Sequence, residues 1–212
     1  MKRYIRSGTI LLASLAASVA QGAFIFDSGV DSLNAGDPTQ LGRISRNDVI
    51  SDWSSAKPFP GTVNPTTSYS YTIYDIPSAL IGANDFIQIT MDSVLANTFA
   101  SAYVGSYDPT NESLNYLGDA GTSGDFFGTD PIAYQVIVPT GADLIVVVNQ
   151  TGTAGVGLGD PYDVLVEGFV DSNFDDAPAA PEPASVILSS GSIGAGFLFA
   201  FIRRKRNSPS AS

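Results

Sequence analysis

The 212-residue chain contains no cysteine and no histidine. Without these residues the protein cannot form a disulfide, a Ser-His-Asp or Cys-His catalytic centre, or a zinc site built from thiolates and imidazoles. The chemistry that remains uses carboxylates, a Ser/Lys pair, or oxygen ligands for a metal ion. A domain of ordinary size can still be stable, because its hydrophobic core replaces the missing crosslinks.

Positive charge is also scarce in the middle of the chain. Between residues 24 and 180 there are three basic residues, Arg43, Arg46 and Lys57, against 20 acidic ones, a net charge of −17. The whole chain carries −11 because the remaining basic residues lie near its two ends. An acidic surface repels phosphate backbones, so we expect no nucleic-acid partner. Lys57 is the single amine that this region offers for Ser/Lys chemistry.

The last thirty residues contain a long uncharged run. It covers residues 184–202, which is 19 residues, and a helix of that length spans roughly 28 Å, close to the hydrocarbon core of a bilayer. A basic cluster follows directly, as on the cytoplasmic side of a membrane helix and unlike a buried core helix. We therefore predict one transmembrane helix over 184–202. The basic cluster consists of Arg203, Arg204, Lys205 and Arg206.

The tripeptide Pro181-Glu182-Pro183 stands immediately before this run. Together with the hydrophobic span and the basic tail, it makes residues 181–206 closely resemble the PEP-CTERM sorting signal of Gram-negative bacteria. The resemblance implies recognition by an exosortase, a membrane-embedded enzyme similar to cysteine transpeptidases that cleaves near the Pro-Glu-Pro motif. It also implies export linked to exopolysaccharide production. Two departures are Lys205 among the arginines and the six residues 207–212 that follow.

The other end of the chain has the pattern of a secretory signal peptide. Lys2, Arg3 and Arg6 precede an apolar stretch over residues 8–19, and small residues follow at 20–23. The apolar stretch is too short to remain as a membrane anchor, so we predict a cleaved signal peptide over 1–22.

One exported domain is expected between these two signals. Residues 23–170 are enough for one well-buried domain. Residues 171–183 are rich in proline, alanine and acidic side chains, which predicts a semi-rigid extended linker.

Alternating apolar residues predict an all-β ectodomain. The continuous apolar run over 144–148 predicts a central strand that is buried on both faces. No segment shows a sustained helical period, so we expect an antiparallel, two-sheet, jelly-roll-like sandwich. The other predicted strands cover residues 24–26, 69–73, 87–91, 99–107, 134–138 and 163–169.

The second half of the ectodomain is similar to bacterial pre-peptidase C-terminal sandwich domains. The similarity rests on a Gly118-Asp119 loop, on the strands around Tyr134 and Leu144, and on a closing strand over 162–169. It implies a sandwich fold and brings no catalytic or binding residues.

Acidic residues give two candidate calcium sites. A loop that begins at Asp119 has Gly124 at its sixth position, followed by Asp125, and Asp130 at its twelfth, as in calcium-binding loops. Its third position is Gly121 and its twelfth is not glutamate, so a glycine-rich turn between strands accounts for the pattern equally well. A second group with the same ambiguity comprises Asp160, Asp163 and Glu167.

Aromatic residues offer a third kind of site, because exposed rings can stack on sugars. Tyr69, Tyr71 and Tyr134 alternate with polar residues in the pattern of core side chains. Trp53 is the one aromatic residue in a polar stretch that suggests exposure, although an anchored loop is the commoner role for such a residue.

These features favour a non-catalytic surface or matrix protein without a cofactor. Its expected partners are an exosortase, membrane lipid and exopolysaccharide. We expect a single-pass membrane form before processing, and then a location at the cell surface or in the extracellular matrix of a Gram-negative bacterium. One alternative is a carboxylate-dependent extracellular polysaccharide hydrolase, which needs two carboxylates about 5–10 Å apart. Another is a calcium-stabilised adhesive module.

Overall fold

The computed structural model describes residues 22–124, 131–153 and 155–170. These residues form ten β-strands and one short helix, α1 (Ser78–Ile81). Within them no helix is long and apolar enough to cross a membrane. The predicted signal peptide up to residue 21, the linker, the sorting signal and the transmembrane helix over 184–202 lie outside the described residues. The strands are β1 (Ala23–Asp27), β2 (Asp31–Ser32), β3 (Thr39–Ile44), β4 (Thr62–Ile76), β5 (Phe86–Ser93), β6 (Thr98–Val104), β7 (Tyr116–Asp119), β8 (Ile132–Ile137), β9 (Leu144–Gln150) and β10 (Pro161–Phe169).

The strands form two antiparallel sheets of five strands each. The first sheet has the order β1-β10-β5-β8, with β2 also paired to β10, and the second has the order β3-β4-β9-β6-β7. The prediction of an all-β protein with two antiparallel sheets is therefore confirmed.

The two sheets bury one face each against the other. Val164 and Ile89 of the first sheet and Val146 of the second are fully buried in the same core cluster. Tyr74 of β4 reaches across, since its hydroxyl lies 3.1 Å from the Tyr162 hydroxyl of β10. Residues at alternate positions along each strand share this inner face.

All seven predicted strands are present, with shifted ends. The run over 144–148 lies in β9, the middle strand of the second sheet, and every residue of β9 is buried. The strand predicted to reach Tyr107 ends at Val104. Gly118 and Asp119 belong to β7, so the prediction of a loop there is wrong. A four-residue strand between turns has too few alternating positions to be recognised.

Much of the outer face of the second sheet is buried beneath two connections, whereas Ile73 and Asp75 of β4 remain exposed on it. The cover loop, residues 105–115, joins β6 to β7, and the edge segment, residues 45–61, joins β3 to β4. Tyr107 of the cover loop packs its ring 5.4 Å from that of Tyr71 and 4.7 Å from that of Tyr103, measured between centroids. This cover explains why β9 is buried on both faces.

The edge segment also closes one side of the sandwich. Backbone N of Ser51 donates to the carbonyl of Asp119 in the second sheet at 3.1 Å, and its carbonyl accepts from N of Gln135 in the first sheet at 2.9 Å. The packing is close, because a Cβ added at Gly118 would lie 2.4 Å from Ser51 Oγ. Ser51 thus bridges the edges of the two sheets.

Trp53 anchors the edge segment to the first sheet. Its indole Nε1 donates to the carbonyls of Ile87 at 3.1 Å and Val136 at 3.2 Å, and the side chain is buried. The ring also makes edge contacts with Phe86 and Phe169. The exposure suggested by its polar neighbours is therefore wrong, and Trp53 has the role of an anchored loop residue.

Candidate functional site

A cleft of about 510 Å³ opens between the cover loop, the edge segment and the strands β3 and β4. Its volume lies within the roughly 300–1,000 Å³ typical of ligand sites. The lining is mixed, with apolar rings and side chains beside hydroxyl, amide and carboxyl groups. The lining residues are Thr39, Gln40, Leu41, Phe59, Thr62, Pro65, Pro109, Thr110, Asn111, Glu112 and Ser113.

Glu112 is the acidic residue of this cleft, and it is buried. One carboxylate oxygen, Oε1, accepts a hydrogen bond from Gln40 Nε2 at 2.6 Å. The other, Oε2, accepts one from Thr62 Oγ1 at 2.6 Å. A carboxylate has about four acceptor positions, so these two bonds leave acceptor capacity for a ligand.

The neighbours of Glu112 are themselves fixed. Gln40 donates from Nε2 to the Gly42 carbonyl at 3.2 Å as well as to Glu112. Its Oε1 accepts a hydrogen bond from the Tyr107 hydroxyl. Because Tyr107 also packs between buried rings, the orientation of the Gln40 amide and of the carboxylate is set before any ligand arrives.

Burial raises the pKa of Glu112 above its ordinary value. The hydrogen bond from Thr62, the nearby positive charge of Arg43 and the hydrogen bond from Gln40 oppose this rise. Desolvation disfavours the ionised form, whereas donors and cations favour it. The balance leaves a carboxyl group that takes up a proton more readily than an exposed glutamate.

A buried ion pair lies elsewhere beneath the same cover. Lys57 Nζ of the edge segment is 2.5 Å from Asp119 Oδ1 of β7, with side chains 4% and 0% exposed. Lys57 also donates to the Val49 carbonyl. The remaining bonds to the carboxylate come from Gly121 N at 2.6 Å and from the Tyr116 hydroxyl. Lys57 therefore binds the edge segment to the second sheet, and no serine hydroxyl is among its hydrogen-bond partners in the described residues.

The structure gives Asp119 a role other than the first position of a calcium loop. Both of its carboxylate oxygens are engaged by protein donors, as described above. Asp125 and Asp130 lie outside the described residues. Within residues 22–124, 131–153 and 155–170, no group of three or more acidic side chains is arranged to hold a metal ion.

The second acidic group is dispersed. Asp160 accepts a hydrogen bond from Asn97 Nδ2 at 2.7 Å. Asp163 and Glu167 are both on β10, where Asp163 lies opposite Asp92 and Glu167 lies opposite Gln88 of β5. Burial, followed by the charges of Asp92 and Asp27, raises the pKa of Asp163. The carboxyl groups of Asp163 and Asp92 therefore lie side by side on neighbouring strands, and no basic side chain of the described residues pairs with them.

Sequence reasoning missed the cleft. Gln40 and Glu112 are 72 residues apart, and Thr62 and Glu112 are 50 apart. A lone glutamate in a polar stretch carries no signal of burial, so no pattern could identify it. Lys57 did carry a signal, because a single lysine among many acids is expected to pair with one of them.

The comparisons with known proteins give no guide to the site. The chain matches no protein-family model, no curated protein and no solved structure.

Proposed function

We propose that this is an exported surface or matrix protein of a Gram-negative bacterium, sorted by an exosortase through residues 181–206. Its sandwich is a non-catalytic module that associates with exopolysaccharide. The observation that carries the proposal is the ordered C-terminal pattern of Pro181-Glu182-Pro183, an uncharged run and the basic tail from Arg203 to Arg206.

The pairing of the first and last strands supports this arrangement. Ala23 at the start of β1 lies opposite Gly168 near the end of β10. Cleavage after residue 22 and cleavage near Pro183 would both fall outside the ten strands. Processing at both ends would therefore leave the sandwich intact.

We also propose that the sandwich is a jelly roll, and the strand order supports this. In the first sheet the order is β1-β10-β5-β8, and four strands of the second follow β4-β9-β6-β7. When β2 and β3 are left out, consecutive strands alternate between the two sheets except at β6 and β7. This connectivity supports an eight-strand jelly roll with two Greek keys, to which β3 adds an edge strand beside β4.

In the membrane-bound form, the helix over 184–202 spans the bilayer and residues 203–206 stay on the cytoplasmic side. The linker over 171–183 then reaches roughly 40 Å at about 3.1 Å per residue, which holds the acidic sandwich away from the lipid headgroups. The partners in this state are membrane lipid and the exosortase. Cleavage near Pro183 releases the sandwich to the surface or the matrix.

The number of carboxylates in the cleft favours a non-catalytic role. Glycoside hydrolysis needs a pair of carboxylates about 5–10 Å apart across the bond to be cleaved. The lining of the described cleft brings one acidic residue, Glu112. A binding role needs no second acid.

Mass spectrometry of the protein from its native host tests the sorting proposal. We expect a mature chain that begins near Ala23 and ends near Pro183. Replacing Pro181, Glu182 and Pro183 together by alanine should leave the C-terminus uncut, whereas Pro178→Ala in the linker should be processed normally. Finding residues 203–212 intact in all of the wild-type protein would overturn the proposal.

A further inference from the structure

We infer that the cleft beside Glu112 binds a segment of a neutral, hydroxyl-rich polymer, that is, an uncharged polysaccharide. This inference rests on the proposed association with exopolysaccharide, and it gives that association a site and a class of ligand.

The floor of the cleft provides fixed hydrogen-bonding groups. Glu112 is held from both sides by Gln40 and Thr62 and retains acceptor capacity. Planar carboxylate groups of this kind accept hydrogen bonds from hydroxyl groups, and bonds to an ionised acceptor are about twice as strong as neutral ones. Because the Glu112 side chain is already ordered, binding a ligand costs little further side-chain entropy.

The walls provide apolar surface for the carbon-bearing face of a sugar ring. Phe59 lines the cleft and is fixed by an edge contact with Tyr116, at 5.3 Å between ring centroids. Leu41 and Pro65 lie on neighbouring strands, and Pro109 lies on the cover loop. Leu41 is 63% exposed, so its apolar surface is available. Apolar surface beside a few ordered polar groups is the usual composition of a small-ligand site.

The charge of the molecule selects among polysaccharides. The region 24–180 carries 20 acidic residues against three basic ones, and the cleft itself contains a carboxylate. An acidic polymer would be repelled over its whole length, because like-charge repulsion acts beyond the contact residues. A cationic polymer would bind along the acidic surface generally, without a need for the cleft. A neutral polymer is the class for which contacts inside the cleft decide the affinity.

Saturation-transfer NMR with the full-length protein tests this inference. The protein is held in a detergent without a sugar headgroup and mixed with neutral glucose hexamers of α-1,4, β-1,3 and β-1,4 linkage. We expect transfer to at least one neutral hexamer and none to a hexamer of uronic acids. The neutral signal should exceed that of a glucosamine hexamer at 0.5 M NaCl.

Three variants locate the binding. Leu41→Asp places a charge on the exposed wall of the cleft and should abolish the signal. Leu80→Asp is the matched control, since Leu80 is 55% exposed on α1 and does not line the cleft; its signal should remain. Glu112→Gln should weaken binding about tenfold, the size of one lost charge-assisted hydrogen bond. Thermal unfolding of each variant shows whether it is folded.

The outcomes separate this inference from the sorting proposal. No transfer to any neutral hexamer, an equal signal from the uronic acid hexamer, or an unchanged signal in folded Leu41→Asp would each overturn the cleft as a site for neutral polysaccharide. Release of reducing ends from a bound hexamer, lost in Glu112→Gln, would replace binding by hydrolysis. None of these results alters the mature C-terminus, which reports on sorting alone.

Discussion

The outer faces of the two sheets differ in what covers them. On the first sheet, outward residues such as Gln88, Asp92 and Asp163 remain partly or fully exposed. On the second sheet, outward residues such as Tyr71 and Tyr103 are buried beneath the cover loop and the edge segment. The outer face of the first sheet is therefore largely solvated, apart from the end where Trp53 packs on Phe86 and Phe169. The outer face of the second sheet carries a second layer of packed and hydrogen-bonded side chains.

The charges follow the same division. All three basic residues of the described domain lie on β3 or the edge segment. Lys57 pairs with Asp119, Arg46 donates to Ser123 Oγ, and the Arg43 guanidinium lies 5.9 Å from the centre of the Tyr69 ring. Among the described residues, no basic side chain forms an ion pair with the acids on the open face of the first sheet. The few positive charges thus serve the covered layer, where an unpaired carboxylate is most costly.

The largest effect on the covered layer is expected from Lys57→Met. Removing the amine leaves the buried Asp119 carboxylate without its cation, and breaking a buried pair in this way costs about 3–5 kcal/mol. Urea unfolding of the variant and the wild type measures the change in the free energy of unfolding.

The matched control for Lys57→Met is the double variant Lys57→Met, Asp119→Asn. It removes both charges and keeps an oxygen that can accept from Gly121 N and the Tyr116 hydroxyl, so it should recover part of the lost stability. A cost of less than about 1 kcal/mol for the single variant, typical of surface ion pairs, would show that the pair is solvated and that the cover does not seal this face.

Tyr107→Ala tests how firmly the cover loop is attached. The variant loses ring contacts with Tyr71 and Tyr103 and the hydrogen bond to Gln40, and aromatic truncation in a core costs about 3 kcal/mol. Phe24→Ala is the control on the first sheet, where Phe24 is largely exposed; it should change stability by less than about 0.5 kcal/mol. Equal effects in urea unfolding would contradict the difference between the two faces.

Much of the sheet structure was predictable from the sequence because alternation records burial directly. Tyr134 and Val136 alternate with Gln135 and face the core, and the apolar run of β9 predicts a strand covered on both sides. β3 was missed because Gly42, at φ 84°, shifts the register between Leu41 and Arg43 and interrupts the period. A bulge of this kind in a short strand interrupts the alternation on which strand prediction depends.

The covered layer was not predictable, since its contacts join distant segments. The stretch from Tyr107 to Asn111 predicts a turn, and that turn is present, with Asn111 N donating to the Asp108 carbonyl at 3.0 Å. Nothing in the turn indicates that Tyr107 and Glu112 point under the loop onto the sheet. Loops are usually solvated, and only tertiary packing shows that this one carries buried side chains.

Asp163→Asn tests the open face and should have the smallest effect, in the stabilising direction. Burial and the charges of Asp92 and Asp27 raise the pKa of Asp163. A carboxyl group whose pKa is higher in the folded protein contributes stability in full below its unfolded pKa, near 3.9, and loses it as the pH rises through the folded value. At pH 7 the ionised group therefore destabilises the strand pair, and the variant should be more stable by about 0.5 kcal/mol.

The dependence on pH and salt distinguishes this cause from a change in packing. At pH 3 the difference in stability between Asp163→Asn and the wild type should be smaller, because Asp163 is then largely protonated and, like the asparagine, uncharged. At pH 7 it should also shrink in 0.5 M NaCl, because screening acts on partly exposed charges. Asp75→Asn, an exposed position opposite Ile145 on the second sheet, should change little under any condition. If Asp163→Asn lowered the stability at pH 7, the ionised Asp163 would be stabilising the fold. The repulsion between Asp163 and Asp92 would then be offset by a favourable contact of the carboxylate, such as one with a bound cation on the open face.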